Sequence, residues 1–316
     1  MSDSRTRLRW AGKRLLHLLP VLFGISVVSF ALIQLTPGDP ARMVLGPRAD
    51  AAAVEALRER MGLNEPALVQ YGNYIGGVVQ GDLGYSIRYE QPVGELIGDF
   101  LPVTGFLAAY VILLTIPLTL LLGILAARNR GRWIDQVIRM ASVLGIAMPV
   151  FWLAILMLRL FSVDLGWFPV SGFGNTFAEH LHHLFLPAVS ISIYLVPILV
   201  RNLRAALLQE MNADYVVASR SKGLPENYIF RRHILKNAML PTLNLFGVLI
   251  TWLIGGTVIV ELVYALPGLG TLMFNAILGR DYPVIQGLTL FYAFATVIIT
   301  LTTDFISTLI DPRIEL

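Results

Sequence analysis

Long apolar stretches separated by polar connections dominate the chain. A helix needs about 20 apolar residues to cross a bilayer, and six stretches approach that length. They are Leu15–Leu35, Phe100–Ala127, Val137–Val163, Leu184–Val200, Leu240–Val263 and Val284–Ile310. Basic residues precede the first stretch, as in a signal peptide, but its length and the absence of a small-residue cleavage site favour a retained helix. The pattern predicts an all-α polytopic membrane protein with six transmembrane helices.

The distribution of basic residues indicates how these helices are oriented. Five lysines and arginines lie before residue 15, four over 128–139, seven over 201–236 and one at Arg313, against six in the intervening connections. Basic residues near helix ends stay on the cytoplasmic side. The first intervening connection instead holds nine carboxylates. The alternation predicts that both termini are cytoplasmic.

The connections also divide the chain into segments. We expect cytoplasmic ends at 1–14 and 311–316, a first transmembrane helix at 15–35, an external loop or cap at 36–99, and a five-helix core at 100–310 with a cytoplasmic coupling loop at 201–240. Apolar periodicity predicts a helix over Ala51–Met61 in the external loop, closed by Gly62.

The cytoplasmic loop contains residues that are typical of the starts and ends of helices in a helical hairpin. Asn212 is suited to cap a helix over Ala213–Lys222, Gly223 fits the position after its end, and Pro225 is suited to open a second helix. We interpret the loop as two short helices joined at Gly223, where glycine tolerates left-handed backbone. Such a rigid element would allow a partner to push on a membrane helix. The alternative is a basic loop that only contacts lipid headgroups.

The composition excludes several classes of protein. Hydrophobic residues make up 56% of the chain and charged residues 14%, whereas soluble domains carry about 25% charged residues. The absence of cysteine excludes disulfides and thiolate metal sites. The net charge is only +3, and the basic residues lie in short clusters between apolar runs. This distribution is typical of membrane topology and does not indicate nucleic-acid binding.

Catalytic motifs are absent from the sequence. It contains no Walker-type G-x-x-x-x-G-K-[ST], no G-x-S-x-G and no H-E-x-x-H motif. An intramembrane enzyme is therefore disfavoured, and any ATP hydrolysis must occur in another chain. A secondary transporter would show inverted repeats and broken helices around an ion site, and no such repeats are found.

A cluster of histidines raises the question of a metal site. His180, His182 and His183 follow the third apolar stretch, on the predicted external side. Imidazole is a common ligand for nickel and copper. However, their spacing does not bring all three rings to one face of a helix, so we favour a solvated loop and predict no metal in this chain.

Short motifs occur in a fixed order along the six apolar stretches. The cytoplasmic loop reads D-Y-V-V-A-S-R-S-K-G over 214–223 and H-I-L-K-N-A-M-L-P over 233–241. The other blocks are P-G-D-P at 37–40, G-L-N-E-P at 62–66, G-D-L-G-Y-S at 81–86, M-P at 148–149, L-P-A at 186–188, P-G-L-G at 267–270, R-D-Y-P-V-I-Q at 280–286 and D-P-R at 311–313. Together they resemble the permease subunits of dipeptide, oligopeptide, glutathione and nickel ABC importers.

The resemblance implies a fold, partners and site residues. It implies the type I ABC importer permease fold in the bacterial inner membrane, a second homologous permease subunit, two ATPase subunits that use ATP and Mg²⁺, and an external substrate-binding protein. It also implies that the chain itself is not an enzyme and holds no cofactor. The residues that match the ATPase-coupling motif are Ala218, Ser219, Gly223, Leu224, Pro225, Glu226, His233, Asn237 and Pro241.

Other matching positions are candidates for the translocation pathway. Glu261 lies at the outer end of the fifth apolar stretch, and an ionisable residue inside a membrane is a functional candidate. It either faces the pathway or a substrate amine, or pairs with Arg280 at the interface, or lies at a water-exposed helix end. The remaining candidates are Pro267, Gly268, Gly270 and Asp281. The implied substrate is a small peptide or peptide-like solute, with nickel or a metal chelate as the alternative.

Overall fold

A computed structural model describes residues 20–31, 34–35, 39–46, 48–60 and 62–310. Within these ranges the regular structure is helical, apart from one isolated bridge between Tyr85 and Pro92. The helices are α1 (Pro20–Ala31), α2 (Pro40–Leu45), α3 (Ala51–Arg60), α4 (Ala67–Val79), α5 (Val93–Arg128), α6 (Trp133–Ala147), α7 (Val150–Met157), α8 (Phe177–Met211), α9 (Asp214–Ser221), α10 (Glu226–Ile229), α11 (Leu235–Val263), α12 (Leu269–Gly279) and α13 (Tyr282–Ile310). The predicted ends, 1–14 and 311–316, lie outside the described residues.

Four helical segments are long and apolar enough to cross a membrane. They are α5, α8, the continuous segment Glu226–Val263 and α13. Helix α7 continues into a π-helical stretch over Leu158–Asp164. A fifth span arises if α6 and this continuous part, Val150–Asp164, count as one, although they bend by 99° at the Met148–Pro149 break. Proline has no N–H for the helix and restricts the residue before it, so the break falls there. The described part of the first predicted span is the shorter helix α1.

Several helix boundaries differ from the sequence prediction. Helix α8 begins at Phe177 and not at Leu184, because Thr176 and Glu179 form a capping box at its start. The motif over 267–270 contains the start of a further helix, in which Gly268 is the N-cap of α12. In the connection over 36–99, α3 and the positive φ of Gly62 agree with the predicted helix and its end, although Met61 lies outside the described residues.

The described chain separates into two compact units. One contains the chain up to Pro102 together with Gly268–Val297, and the other contains Val103–Pro267 and the chain from Ile298 onward. The first unit has a buried apolar core between α5, α12 and α13. Its members include Val93, Leu96, Leu272, Val284 and Leu288.

The second unit has two apolar clusters. The first packs α5, α7, α8 and α11 around residues such as Leu107, Ile191 and Tyr264. The second surrounds Leu203 and Leu207 of α8. In the same unit α11 packs closely against α13 at Gly247. A Cβ atom added at Gly247 would lie only 2.5 Å from Thr303 Cγ2.

Candidate functional site

The segment 212–237, here called the hairpin segment, contains most of the predicted coupling residues. Its first helix, α9, begins after Ala213, which supplies no side-chain cap. The prediction that Asn212 caps this helix is wrong. Asn212 instead ends α8, and its Nδ2 donates to the Leu208 carbonyl at 2.8 Å. Helix α8 runs 11 residues beyond the predicted span end at Val200, so the asparagine serves the preceding helix.

The turn after α9 has the backbone predicted for it. Gly223 has a φ of +75°, and its N–H donates to the Arg220 carbonyl at 2.9 Å. The Leu224 N–H reaches the Ser219 carbonyl at 3.3 Å. A Cβ atom added at Gly223 would meet no other atom within 4 Å. The requirement for glycine is therefore conformational and does not come from crowding.

An ion pair spans the same turn. Arg220 Nε donates to Glu226 Oε1 at 2.7 Å, and Arg220 Nη2 to Glu226 Oε2 at 3.2 Å. This bidentate contact raises the pKa of the Arg220 guanidinium further above its ordinary value. Both side chains are exposed to solvent. The pair joins the end of α9 to the start of α10, where Pro225 is the N-cap.

The second helix of the hairpin segment differs from the two-short-helix prediction. α10 continues through a π-helical turn over Phe230–Ile234 into α11 without a break, so that Glu226–Val263 is one helical segment of 38 residues. A π turn keeps the backbone hydrogen-bonded with one extra residue. Asn237 and Pro241 consequently lie in the membrane-directed helix α11 and not in a separate loop.

Buried apolar contacts hold the hairpin segment against the long helices. Val216 of α9 and Ile229 of α10 are fully buried in the cluster around Leu203 and Leu207. The Arg128 guanidinium lies 4.1 Å from the centre of the Phe230 ring, a cation–π contact that holds the end of α5 beside the π turn. These contacts join α9 and α10 to α5, α8 and α11 as one packed body.

The opposite side of the hairpin segment is exposed. Val217, Leu224 and Tyr228 expose apolar surface there. The basic residues Arg220, Lys222, Arg231 and Arg232 are also exposed, as is Ala218. Ser219 is less exposed, and its Oγ donates to the Tyr215 carbonyl at 2.7 Å. Exposed apolar and basic side chains in one short segment suit a protein partner.

Two sets of polar contacts include residues far apart in the sequence and were not predicted. Tyr215 donates its hydroxyl to the Glu210 carboxylate, and Asn237 donates to both. Separately, Asp135 is fully buried and accepts from Arg204 Nε and Nη2, each at 2.7 Å. Both sets join residues of different helices. Tyr215 and Asn237 carried a signal in the sequence, since they lie inside the quoted motifs over 214–223 and 233–241, whereas Glu210 and the Asp135–Arg204 pair lie outside the motifs.

Among the pathway candidates, Glu261 is deeply buried. Its side chain is 0% exposed in α11, and Thr104 Oγ1 donates to its Oε1 at 2.8 Å. One turn later, Tyr264 is also buried and donates its hydroxyl to the Ala154 carbonyl at 3.1 Å. A buried carboxylate is costly unless it is hydrogen-bonded, and Thr104 supplies one such bond.

The other pathway candidates form the two ends of α12. Gly268 precedes α12 and Gly270 lies in its first turn, both of them buried, whereas Pro267 is exposed. Asp281 follows α12 and is 1% exposed. Its carboxylate accepts from Ser86 Oγ at 2.5 Å and also from two backbone N–H groups nearby. The contacts of Asp281 are therefore structural ones.

The three histidines lie in the first turns of α8 and not in a loop. Ring nitrogens of all three contact backbone carbonyls: His180 that of Phe173, His182 that of Trp167, and His183 those of Ser171 and Gly172. The described residues contain no group of three side chains placed to hold a metal ion. These contacts fasten the preceding loop to α8.

The comparisons with known proteins agree with the helical architecture. Residues 119–316 match the family described as "Binding-protein-dependent transport system inner membrane component". The chain belongs to this family. Residues 7–108 of this permease match the model for the N-terminal part of such membrane components. The resemblance proposed from the motifs is thereby confirmed.

Three relatives show that the similarity extends over nearly the whole permease. A Brucella suis protein whose name describes a peptide transport system permease is 39% identical, covering 96% of this chain and 98% of its own. The Bacillus subtilis oligopeptide transport system permease protein AppB is 38% identical, with the same coverage. The Escherichia coli glutathione transport system permease protein GsiC is 37% identical, covering 98% and 99%.

A solved structure supports the fold. The inward-facing MetNI methionine ABC transporter aligns with a TM-score of 0.51 at 18% identity, covering 69% of this chain and 94% of the other. The permease is thus a multi-pass membrane protein with the fold of an ABC importer permease.

Proposed function

We propose that this permease forms half of the translocation pathway of an ABC importer, with a second homologous permease as the other half. Two ATPase subunits hydrolyse ATP with Mg²⁺ on the cytoplasmic side, and an external binding protein delivers the solute. The observation that carries this proposal is the hairpin segment. Its buried residues pack on three long helices, and it also exposes apolar and basic side chains to solvent.

The proposed topology has six transmembrane helices with both termini in the cytoplasm. The α6–α7 pair would form one bent span, and the stretch predicted at 15–35 would contribute another. The hairpin segment then lies in the cytoplasm, in keeping with its basic residues. The acidic connection over 36–99 lies outside, where it would cover the pathway and contact the binding protein.

Ala218, Ser219, Leu224, Pro225 and Glu226 would present the coupling surface to an ATPase. Gly223 would allow the tight turn between α9 and α10. His233, Asn237 and Pro241 would act behind this surface, where the hairpin segment enters α11. In this arrangement an ATPase contacts α9, and the packed residues Val216 and Ile229 carry the displacement to the long helices.

For the pathway we propose a role for Glu261. A buried carboxylate hydrogen-bonded to Thr104 is a suitable partner for the amine of a peptide once the surrounding helices separate. Pro267, Gly268, Gly270 and Asp281 would hold the external end of the pathway in shape. We propose a small peptide or peptide-like solute, because the relatives named above transport peptides, oligopeptides and glutathione according to their names.

The docking of the ATPase is testable with one charged substitution. Val217 is 56% exposed on α9, so Val217→Asp should leave the fold intact but place an unpaired charge in the interface. We expect the amount of ATPase that co-purifies with the tagged permease to fall about tenfold or more. The matched control is Val79→Asp, at a helical valine that is 81% exposed in α4. Equal co-purification of ATPase with Val217→Asp and the control would refute the proposed docking surface.

A further inference from the structure

Three polar side chains from three different helices meet beside α9, and we call them the clamp. Glu210 lies in the last turn of α8, Tyr215 in the first turn of α9 and Asn237 near the start of α11. The Tyr215 hydroxyl donates to Glu210 Oε2. Asn237 Nδ2 donates to the Tyr215 hydroxyl oxygen at 3.2 Å and to Glu210 Oε2 at 3.4 Å. Each member of the clamp therefore contacts both others.

Aromatic contacts extend the clamp toward α10. The His233 ring in the π turn lies 6.4 Å from the Tyr215 ring and 5.8 Å from the Tyr228 ring, measured between centroids. Burial and the hydrogen bond to Glu210 raise the pKa of Tyr215 to about 12. The Tyr215 hydroxyl therefore remains a hydrogen-bond donor throughout the physiological pH range.

The rest of α9 is weakly anchored. The helix has eight residues, which is too short to be stable alone in water. Within α9, Val216 is the buried residue, and Ala213 gives its start no side-chain cap. One buried contact limits translation of a helix but leaves rotation about that contact possible. Besides the exposed Arg220–Glu226 pair at the end of α9, the clamp attaches the start of the helix, one residue away from Val216.

We propose that Glu210, Tyr215 and Asn237 are positioning residues that lock α9 to α8 and α11, so that a displacement of α9 reaches both membrane helices. This proposal rests on the proposed function of the hairpin segment as the coupling element. Glu210 and Tyr215 are not among the coupling residues implied by the family resemblance, and for Asn237 the proposal specifies the contact through which it acts.

The test uses Tyr215→Phe, which removes the hydroxyl and keeps the ring beside His233. Hydrogen–deuterium exchange is measured on the complete complex with its ATPases, first without nucleotide and then with ATP and vanadate, which trap the ATPases during hydrolysis. We expect the amides of 214–221 to exchange about tenfold faster in the variant, as for the loss of a hydrogen bond to a charged group. Trapping should also alter the exchange rate over 235–245 in the unmodified complex. We expect this response to be several-fold smaller in the variant.

The matched control is Ser221→Ala, which removes a hydroxyl of the same helix. Ser221 Oγ donates only within α9, to the Val217 carbonyl at 3.1 Å, so both exchange readouts should match those of the unmodified complex. A second variant, Glu210→Gln, retains an acceptor but removes the charge, and we expect an intermediate effect. Because the two groups act through each other, Tyr215→Phe combined with Glu210→Gln should be no worse than Tyr215→Phe alone.

Three outcomes separate the possibilities. Unchanged exchange over 214–221 in Tyr215→Phe would overturn the clamp. Faster exchange there with a full trapping response over 235–245 would also overturn it, because α9 would then transmit without the clamp. A failure of the proposed function looks different, since trapping would then change exchange in neither segment of the unmodified complex.

Discussion

Two turns of this permease contain a residue in left-handed backbone conformation, and their surroundings differ. Gly223 lies between α9 and α10 with a φ of +75°, and Arg280 lies between α12 and α13 with a φ of +54°. Left-handed backbone is routine for glycine and costs about 1–2 kcal/mol for other residues. The chain meets this requirement with a glycine at one turn and with an arginine at the other.

The surroundings explain the difference. Beside Arg280, the buried Asp281 carboxylate accepts from Ser86 Oγ at 2.5 Å and from the Arg88 and Ile87 N–H groups at 3.1 and 3.4 Å. A strained conformation persists where neighbouring contacts determine it. The Gly223 turn has open space around it and an exposed ion pair across it. The Arg280 turn is a fixed joint inside its unit, whereas the Gly223 turn is an open turn with space around it.

Breaking the fixed joint should have the largest effect. Asp281→Ala leaves the buried Ser86 hydroxyl and two N–H groups without their acceptor, which should cost about 2–4 kcal/mol. We expect a lower thermal unfolding midpoint of the detergent-purified permease and a lower yield. Ser86→Ala removes one donor to Asp281 and the acceptor of the Tyr89 N–H, and it should give a smaller shift in the same direction because the two N–H groups keep Asp281 as their acceptor. A midpoint for Asp281→Ala equal to that of the unmodified protein would show that the joint is not held by this carboxylate.

Altering the open turn should affect transport and not insertion. Gly223→Val forces a β-branched residue into left-handed backbone at about 1–2 kcal/mol or more, so uptake and substrate-stimulated ATP hydrolysis in reconstituted vesicles should be lost. Gly223→Asn is the matched variant, because asparagine tolerates this backbone, and it should retain most of both activities. The amount of permease inserted in the membrane should be unchanged.

Two results would alter this interpretation of Gly223. Equal losses in both variants would indicate that bulk at the interface, and not backbone geometry, is the cause. Normal activity of Gly223→Val would indicate that the hairpin segment does not couple the ATPase to the pathway. The interpretation of this loop as a lipid-contacting basic segment would then be preferred.

The smallest effect is expected from the ion pair across the open turn. Arg220→Ala removes an exposed contact with Glu226, and exposed ion pairs contribute little. Stimulated ATP hydrolysis should stay within about twofold of the unmodified complex, and the difference should shrink as ionic strength rises. A large loss at every salt concentration would mean that Arg220 contacts the ATPase directly.

The positions of long helices and of one turn could be predicted from the sequence, whereas contacts between distant helices could not. The apolar lengths predicted the long helices, and Gly223 and Pro225 predicted the turn, because each depends on a few neighbouring residues. The 99° angle at Met148–Pro149 could not be predicted, because a proline indicates that a helix is interrupted but does not fix the angle between the two parts. The start of α8 was placed too late because the capping box at Thr176 lies in a polar stretch that the hydropathy pattern assigns to a loop.

The same limit applies to the candidate site. The motif over 214–223 predicted which segment of the chain forms the candidate site. It did not predict the contacts of that segment with residues elsewhere in the sequence. Glu210 and Asn237 are 27 residues apart and belong to different helices, so neither spacing nor composition indicates that both contact Tyr215. The Asp135–Arg204 pair spans 69 residues in the same way. Such pairings depend on how helices pack, which is a tertiary property.

The continuity of Glu226–Val263 has a mechanical consequence. A helix of 38 residues is about 57 Å long at 1.5 Å per residue. Gly247, where α11 comes closest to Thr303 of α13, lies near its middle and can serve as a fulcrum. A tilt of about 10° there would move the Glu226 end by about 5 Å and the Val263 end by about 4 Å in the opposite direction. In the proposed importer the segment would then act as a lever with arms of about 32 and 24 Å, in which closure at one face of the membrane would accompany opening at the other.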